Sequence, residues 1–276
     1  MGTSKSGSGI PGSSPLLPDW TPPASPPEED EQQDPQDDKN EEEAQDRPTY
    51  ESTADFQAVK SNFTKYVSKP SKPTFKTAIR SYIRKTGGVK KATTSSAAGI
   101  RTGRGYISFL NNLGSQGLSE TLSQLGLTSQ IGKSSEEVLA IIADKIAPVG
   151  STNDEAIARA AVLIATEKLY GRLEEDGQDL ATLDTLDEAL IKEVVIEYVS
   201  AYIFKKWVYE AGMALEKNKL SENKAIELEH QMKDLIRQEV KVGIEKANLK
   251  DFDLAQESGR DLVLEIFELA YTTLEE

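Results

Sequence analysis

A chain of 276 residues that is 37% hydrophobic and 28% charged has the composition of a soluble protein, long enough to build one sizeable core or two small ones. It contains no cysteine and a single histidine, which excludes structural disulfides, thiolate nucleophiles and thiolate metal sites, and leaves histidine metal clusters and His-relay catalysis without their parts. The formal net charge of −14 hides a segregation into three blocks: residues 1–50 carry a net −9, residues 57–104 carry 12 basic and no acidic groups, and residues 105–276 carry a net −15.

Residues 1–50 show no sustained helical or strand period. The Gly/Ser head from Gly2 to Ser14 is expected to be flexible. Pro15 to Pro27 favours extended polyproline II, and Glu28 to Asp46 is a polyacidic linker. Such a segment buries too little apolar area to offset the entropy of ordering, so a disordered tail is expected. It lacks the continuous apolar run of a secretory signal, and without cysteine the chain suits a reducing compartment. A cytoplasmic location is the expectation.

From residue 55 the apolar positions return at helical spacing, marking a helical domain over 55–276. Phe56, Val59, Phe63 and Val67 predict a first helix, stopped by the Lys69–Pro73 stretch KPSKP. Phe75, Ile79, Tyr82 and Ile83 predict a second, with Gly87 and Gly88 as its stop. Thr93 to Gly117 is rich in Gly and Ser but closes on Tyr106, Phe109, Leu110 and Leu113, and it too is read as helical.

Three Ser/Thr-x-x-Glu capping boxes, Ser134 with Glu137, Thr152 with Glu155 and Thr185 with Glu188, precede apolar runs. They predict helices over about 135–146, 153–173 and 186–217. The last is apolar over more than half its circumference, as suits a helix surrounded by others. Its richest stretch, Ala189 to Ala211, is interrupted by Lys192, Glu193, Glu197, Lys205, Lys206 and Glu210, so it is a core helix and no membrane span. Two amphipathic helices, about 221–247 and 257–274, complete the chain. No alternating strand pattern is present, and the expected fold is all-α: a multi-helix bundle with a long central helix behind a Gly/Ser/Pro-rich and acidic tail.

Nothing in the pattern singles out a catalytic group. The carboxylate pairs Glu174/Glu175 and Glu227/Glu229 fall on polar helical surface, as does His230 in ELEHQMKD. No metal site and no bound cofactor are expected on this chain. Gly99, Gly103 and Gly105 in GIRTGRGY, interleaved with Arg101 and Arg104, could cradle a phosphate. The motif is neither a P-loop nor a dinucleotide fingerprint, and a flexible helix boundary explains it as simply.

The acid-free block 57–104 reads as a docking surface, with Arg80, Arg84, Lys85, Lys90, Lys91, Arg101 and Arg104 as candidates. Nucleic acid, the acidic tail of the same chain and an acidic partner protein all supply the counter-charge.

The N-terminus carries its own chemistry. Removal of Met1 would expose the unhindered amine of Gly2, whose pKa of about 7.7–8.0 leaves it partly neutral and nucleophilic at cellular pH. MGTSKS also fits the myristoylation pattern, but the chain has no cysteine to palmitoylate and its next charged run repels anionic lipid, so no membrane anchoring is expected. Leu16, Leu17, Pro18 and Trp20 form the apolar anchor of the tail.

The opening MGTSKS, the Gly7–Pro15 spacer and the cluster PLLPDW at Pro15–Trp20 resemble the N-terminus of the QatB family, components of the bacterial Qat anti-phage defence systems. The resemblance implies a non-enzymatic protein with a helical body behind a variable linker. It also implies a partner, QatC, that is similar to the QueC enzymes, which use ATP to activate a 7-carboxy-7-deazaguanine. Carried over, Gly2 would be the acceptor of a 7-deazaguanine derivative, and Thr3 and Ser4 would line the partner's channel. Leu16, Leu17, Pro18 and Trp20 would grip the partner outside it. ATP and the deazapurine would be held by the partner, and the remaining Qat components, an ATPase and a TatD-like nuclease, are further candidate partners. The competing reading is a helical nucleic-acid-binding protein acting through 57–104.

Overall fold

A computed structural model describes residues 53–175, 186–211, 221–246 and 259–276. The tail, with all its candidate residues from Gly2 to Trp20, lies outside them, as do the predicted helix ends at 212–217, 247 and 257–258. Every regular element described is helical, as the patterning predicts. The order is α1 (Thr53–Ser68), α2 (Lys72–Lys85), α3 (Val89–Thr94), α4 (Ala97–Gln124), a 3-10 turn (Thr128–Gln130), α5 (Ser135–Ile146), α6 (Asn153–Glu175), α7 (Glu188–Ala211), α8 (Glu222–Lys246) and α9 (Gly259–Glu275).

Local chemistry explains most boundaries. The KPSKP stretch separates α1 from α2, where the Ser71 hydroxyl accepts from the Thr74 amide at 3.4 Å and Pro73 sits in the first turn, its missing N–H costing nothing there. Gly88 N–H reaches the Ile83 carbonyl at 2.9 Å and Gly87 N–H the Arg84 carbonyl at 3.1 Å, closing α2 as predicted.

Two of the three capping boxes form. Ser134 accepts from the Glu137 amide at 3.3 Å. At α6 the box is reciprocal, with Thr152 Oγ1 accepting from Glu155 N–H and Glu155 Oε2 from Thr152 N–H, both at 3.2 Å.

The third expectation needs correction. Thr185 lies outside the described residues, and the cap of α7 is Asp187. Its carboxylate accepts from the Ala189 amide at 2.9 Å and its carbonyl from Ile191 at 3.0 Å. An aspartate ranks above threonine as a cap, so the helix begins two residues later than the box implied.

The stretch 93–117 is helical but divided. It holds the end of α3, a two-residue junction at Ser95–Ser96, and most of α4, whose axis breaks at Gly117 with φ 77 and ψ 175. That backbone state is open to glycine and strained for other residues.

The long helix α7 is the centre of the bundle. Its buried residues run through Ile191, Val194, Val195, Tyr198, Val199, Tyr202, Ile203, Phe204 and Trp207. α6 and α4 both run antiparallel to it: Asp154 at the start of α6 meets Lys206 near the end of α7, and an added carbon on Gly114 of α4 would meet Ile191 near its start. α8 flanks it through Arg237, which pairs with Glu193 at 3.2 Å and Glu197 at 3.1 Å. α1 and α2 close one end by stacking Phe63 and Phe75 edge-on against Trp207, with centroids 5.2 and 5.7 Å away. Aromatic pairs of this geometry add about 0.5–1.5 kcal/mol each beyond the area they bury. Among the described residues no helix is long and apolar enough to cross a membrane.

Candidate functional site

The structure gathers its buried polar groups where α7 meets the α3–α4 junction. Tyr198, Tyr202, Lys206 and Glu210 recur every four residues and therefore form one stripe on α7. Each finds a partner outside α7. Tyr198 Oη donates to the Gly99 carbonyl at 2.6 Å, and Tyr202 Oη donates to Asp154 Oδ1 at 2.5 Å. Lys206 Nζ donates to the same carboxylate oxygen at 3.0 Å and to the Ser95 carbonyl at 3.1 Å, and pairs with Glu210 Oε1 at 3.3 Å. Glu210 Oε2 accepts from Tyr82 of α2 at 2.8 Å. Ser96 and Tyr271 of α9 share a hydrogen bond at 2.9 Å.

Asp154 has a second task. Its Oδ2 accepts from the Ala98 amide at 3.2 Å, so a carboxylate from α6 caps the first turn of α4 across a tertiary contact, where negative charge is favoured. The junction between α3 and α4 is thus held by a carboxylate and an ammonium that belong to other helices.

Burial dominates the electrostatics of the phenols in this cluster. Burial pushes the phenols of Tyr82, Tyr198, Tyr202 and Tyr271 far above their ordinary range. The nearby Glu210 and Asp154 carboxylates add to the effect. All four phenols stay neutral, and those of Tyr82, Tyr198 and Tyr202 donate. Lys206, 6% exposed, lies among three acceptors, so the buried ammonium takes from Asp154, Glu210 and the Ser95 carbonyl the solvation that water would supply. The arrangement acts as a clamp joining α2, the α3–α4 junction, α6, α7 and α9.

Two of the GIRTGRGY glycines, Gly99 and Gly103, also serve packing, and neither the phosphate cradle nor the flexible boundary describes them. They lie inside α4. A methyl on Gly99 would stand 2.5 Å from the Tyr202 ring and one on Gly103 would stand 2.8 Å from the Tyr198 ring. Two glycines four apart on α4 face two tyrosines four apart on α7, so the backbone of one helix rests on the rings of the other. Gly105 faces outward.

The candidate basic residues are not one free surface. Arg80 donates through Nε to the Glu275 carbonyl at 2.6 Å and through Nη2 to the Glu276 carbonyl. Arg84 pairs with Glu275 at 3.5 Å, and Arg101 with Glu155 at 2.9 Å. The Thr152 hydroxyl and amide hold the Glu155 carboxyl below its ordinary range, with a smaller contribution from Arg101. Lys85 is engaged as well. Arg104 is half-buried, with a buried Nε that has no hydrogen-bond partner among the described residues. Lys90 and Lys91 are exposed on α3.

Two further lysines of the block, Lys72 and Lys76, hold the buried Glu239 of α8 at 2.9 and 3.2 Å. Burial alone would raise that carboxyl, but the two ammonium groups outweigh it and hold it below its ordinary range. Four of the block's twelve basic groups are therefore paired with three carboxylates of the acidic body itself, a counter-charge absent from the alternatives drawn from the sequence.

The surface groups lie where the pattern put them. Glu174, Glu175, Glu227 and Glu229 contact Tyr170, Arg172, Lys224 and Lys233 on their own helices, and His230 is exposed. Among the described residues no group of three or more His, Asp or Glu side chains is arranged to hold a metal.

A family model described as QatB, Qat anti-phage system associated protein, matches residues 87–274. The chain belongs to the QatB family. It is a component of the Qat anti-phage system, whose other components are its system partners. No curated protein and no solved structure shows significant similarity to the chain. The QatB match starts at the Gly87 turn and runs through α3 to α9, so it includes every member of the polar cluster except Tyr82. It falls on the helical body, whereas the resemblance read from the sequence rested on residues 1–20.

Proposed function

We propose that this QatB-family protein is a non-enzymatic substrate and adaptor of the Qat system, presenting the amine of Gly2 to a QueC-like partner while its helical body docks outside that partner's active site. The observation that carries the reading is the family match over α3–α9, joined to a sequence that opens Met-Gly and continues as a Gly/Ser/Pro feed to Leu16, Leu17, Pro18 and Trp20.

The chemistry asks nothing of the helical body. The partner uses ATP to convert the carboxylate of a 7-deazaguanine into an acyl-adenylate, releasing pyrophosphate. The neutral Gly2 amine attacks the acyl carbon, the new amide C–N bond forms, AMP leaves with the electron pair of the broken C–O bond, and the ammonium gives its extra proton to solvent. Thr3 and Ser4 are small enough to pass a narrow channel. Twenty extended residues span about 66–72 Å, ample to reach a buried site. The interior of the body supports the same division of labour, because its lysine, carboxylates and tyrosines are committed to one another as a clamp.

The nucleic-acid reading of 57–104 is weakened by the ion pairs that bind Lys72, Lys76, Arg84 and Arg101 to the protein's own acids. The deciding experiment is intact-mass and peptide mass spectrometry of the chain co-expressed with its QueC-like partner. The expected result is an adduct on the peptide beginning at Gly2. An unmodified N-terminus beside a folded, active partner refutes the proposal.

A further inference from the structure

A backbone feature and a sequence boundary coincide at Gly87. This residue and Gly88 separate α2 from α3, and both stand at positive φ, 97° and 83°, a backbone state open to glycine and strained for other residues. The residues matched by the family model begin at the same point, so α1 and α2 precede the matched body of α3–α9. α1 packs chiefly on α2 and touches α7, while α2 lies along α9.

The boundary between this helix pair and the body is partly polar. Lys72 and Lys76 hold Glu239, Arg80 the Glu275 and Glu276 carbonyls, Arg84 the Glu275 carboxylate, and Tyr82 the Glu210 carboxylate. The Lys72 and Arg84 side chains are 58% and 67% exposed, where water competes for each partner. The apolar part centres on Trp207, which Phe63 and Phe75 meet edge-on. Two polar atoms of this ring cluster, Tyr66 Oη and Trp207 Nε1, are buried with no hydrogen-bond partner among the described residues. The closed state therefore forgoes hydrogen bonds that water offers once the boundary parts. Within the pair, by contrast, Tyr66 rests on Phe75 at 5.8 Å, a contact that survives separation from the body.

From these observations we infer that α1–α2 is a hinged module, which swings off the α3–α9 body as one unit about Gly87–Gly88 without the body unfolding. Sub-global openings of this kind follow supersecondary units such as a helix pair, and the hinge falls on a few residues between elements. Ile79 and Ile83 of α2 are fully buried and must leave with it, so the open form is a minor state. Opening uncovers Trp207 and moves the point at which residues 1–52 join the fold. Nothing in this motion depends on chemistry at Gly2.

The test is native-state hydrogen exchange of the full chain, read by peptide mass spectrometry over urea concentrations below the unfolding transition. The slowest amides of α1 and of α2 should share one opening equilibrium and exchange at least about tenfold faster than the slowest amides of α6 and α7. Their response to urea should be shallower, because less surface is exposed. Equal protection of α1–α2 and α7, or different opening equilibria for α1 and α2, overturns the inference. Gly103→Ala adds a readout that a fold opening only as a whole would not give. Its methyl would stand 2.8 Å from the Tyr198 ring, an overlap inside the body that persists when α1–α2 swings away. The variant should speed exchange in α7 and leave α1 and α2 unchanged, and equal speeding of both sets overturns the inference. The double variant K72M/K76M, which strips Glu239 of its partners in the closed state, should speed α1–α2 exchange by about tenfold or more. Unchanged exchange there overturns the inference.

Discussion

Replacing Gly99 by alanine puts two opposing effects on one site. Gly99 lies within α4, so on helix propensity alone the change should stabilise by about 1 kcal/mol. The new methyl, however, would stand 2.5, 2.6 and 2.8 Å from three atoms of the buried Tyr202 ring, well inside contact distance. Relieving that overlap costs about 1–3 kcal/mol by the usual penalty for an overpacked core. The ring cannot retreat freely, because its hydroxyl donates to Asp154 at 2.5 Å; losing a hydrogen bond to a charged group costs about 1.5–3 kcal/mol more. The net expectation is a destabilisation of about 1.5–5 kcal/mol. Gly105→Ala supplies the control in the same helix: its methyl would meet only Ile146, at 3.5 Å, so it should stabilise by up to about 1 kcal/mol. Urea denaturation followed by circular dichroism measures both. In a Tyr202→Ala background the ring is gone and Gly99→Ala should revert to a stabilising change, giving a large coupling in the double-mutant cycle. A Gly99→Ala protein as stable as the parent would refute the reasoning, as would a cycle with no coupling.

The remaining expectations concern charge. Lys206→Met removes the buried cation between Asp154 and Glu210, whose side chains keep 26% and 29% exposure, and should destabilise by about 1–3 kcal/mol, short of the roughly 3–5 kcal/mol for breaking a fully buried pair. The urea midpoint checks it, with Lys205→Met on the same helix for comparison. Glu239, whose folded pKa is depressed, contributes stability above its unfolded pKa of about 4.3. That contribution is lost as pH falls through the lower folded value. Glu239→Gln should therefore flatten the acid side of the stability profile, seen as a smaller change in urea midpoint between about pH 5 and pH 3, and an unchanged profile would count against the Lys72–Glu239–Lys76 assignment.

Several features of the site are legible in hindsight. Tyr198, Tyr202, Lys206 and Glu210 sit at four-residue spacing on a helix already recognisable as surrounded, and a polar stripe on such a helix needs buried partners. Lys206 and Glu210 are also among the charges that interrupt the apolar stretch Ala189–Ala211. Glu239 is similar, since it follows Ile236 by three residues and so falls on the buried side of α8 with Met232 and Val240. Asp154 gives no such signal, because an acidic residue in the first turn of α6 is fully explained by that helix's own dipole. Its service to the start of α4 depends on an approach between segments far apart in the chain.

The sequence by itself determined the helices, their apolar faces, most of their caps, and the three-block charge distribution, because these follow from interactions within a few residues. Tertiary structure alone decided what the charges and glycines are for. A lysine in a basic run and a glycine in GIRTGRGY look identical whether they face a ligand, solvent or another helix. Only the approach of α2 to α8 and α9, and of α4 to α6 and α7, turned part of the basic run into internal ion pairs and Gly99 and Gly103 into seats for tyrosine rings. Counter-charge and close packing are long-range properties, fixed when distant segments meet.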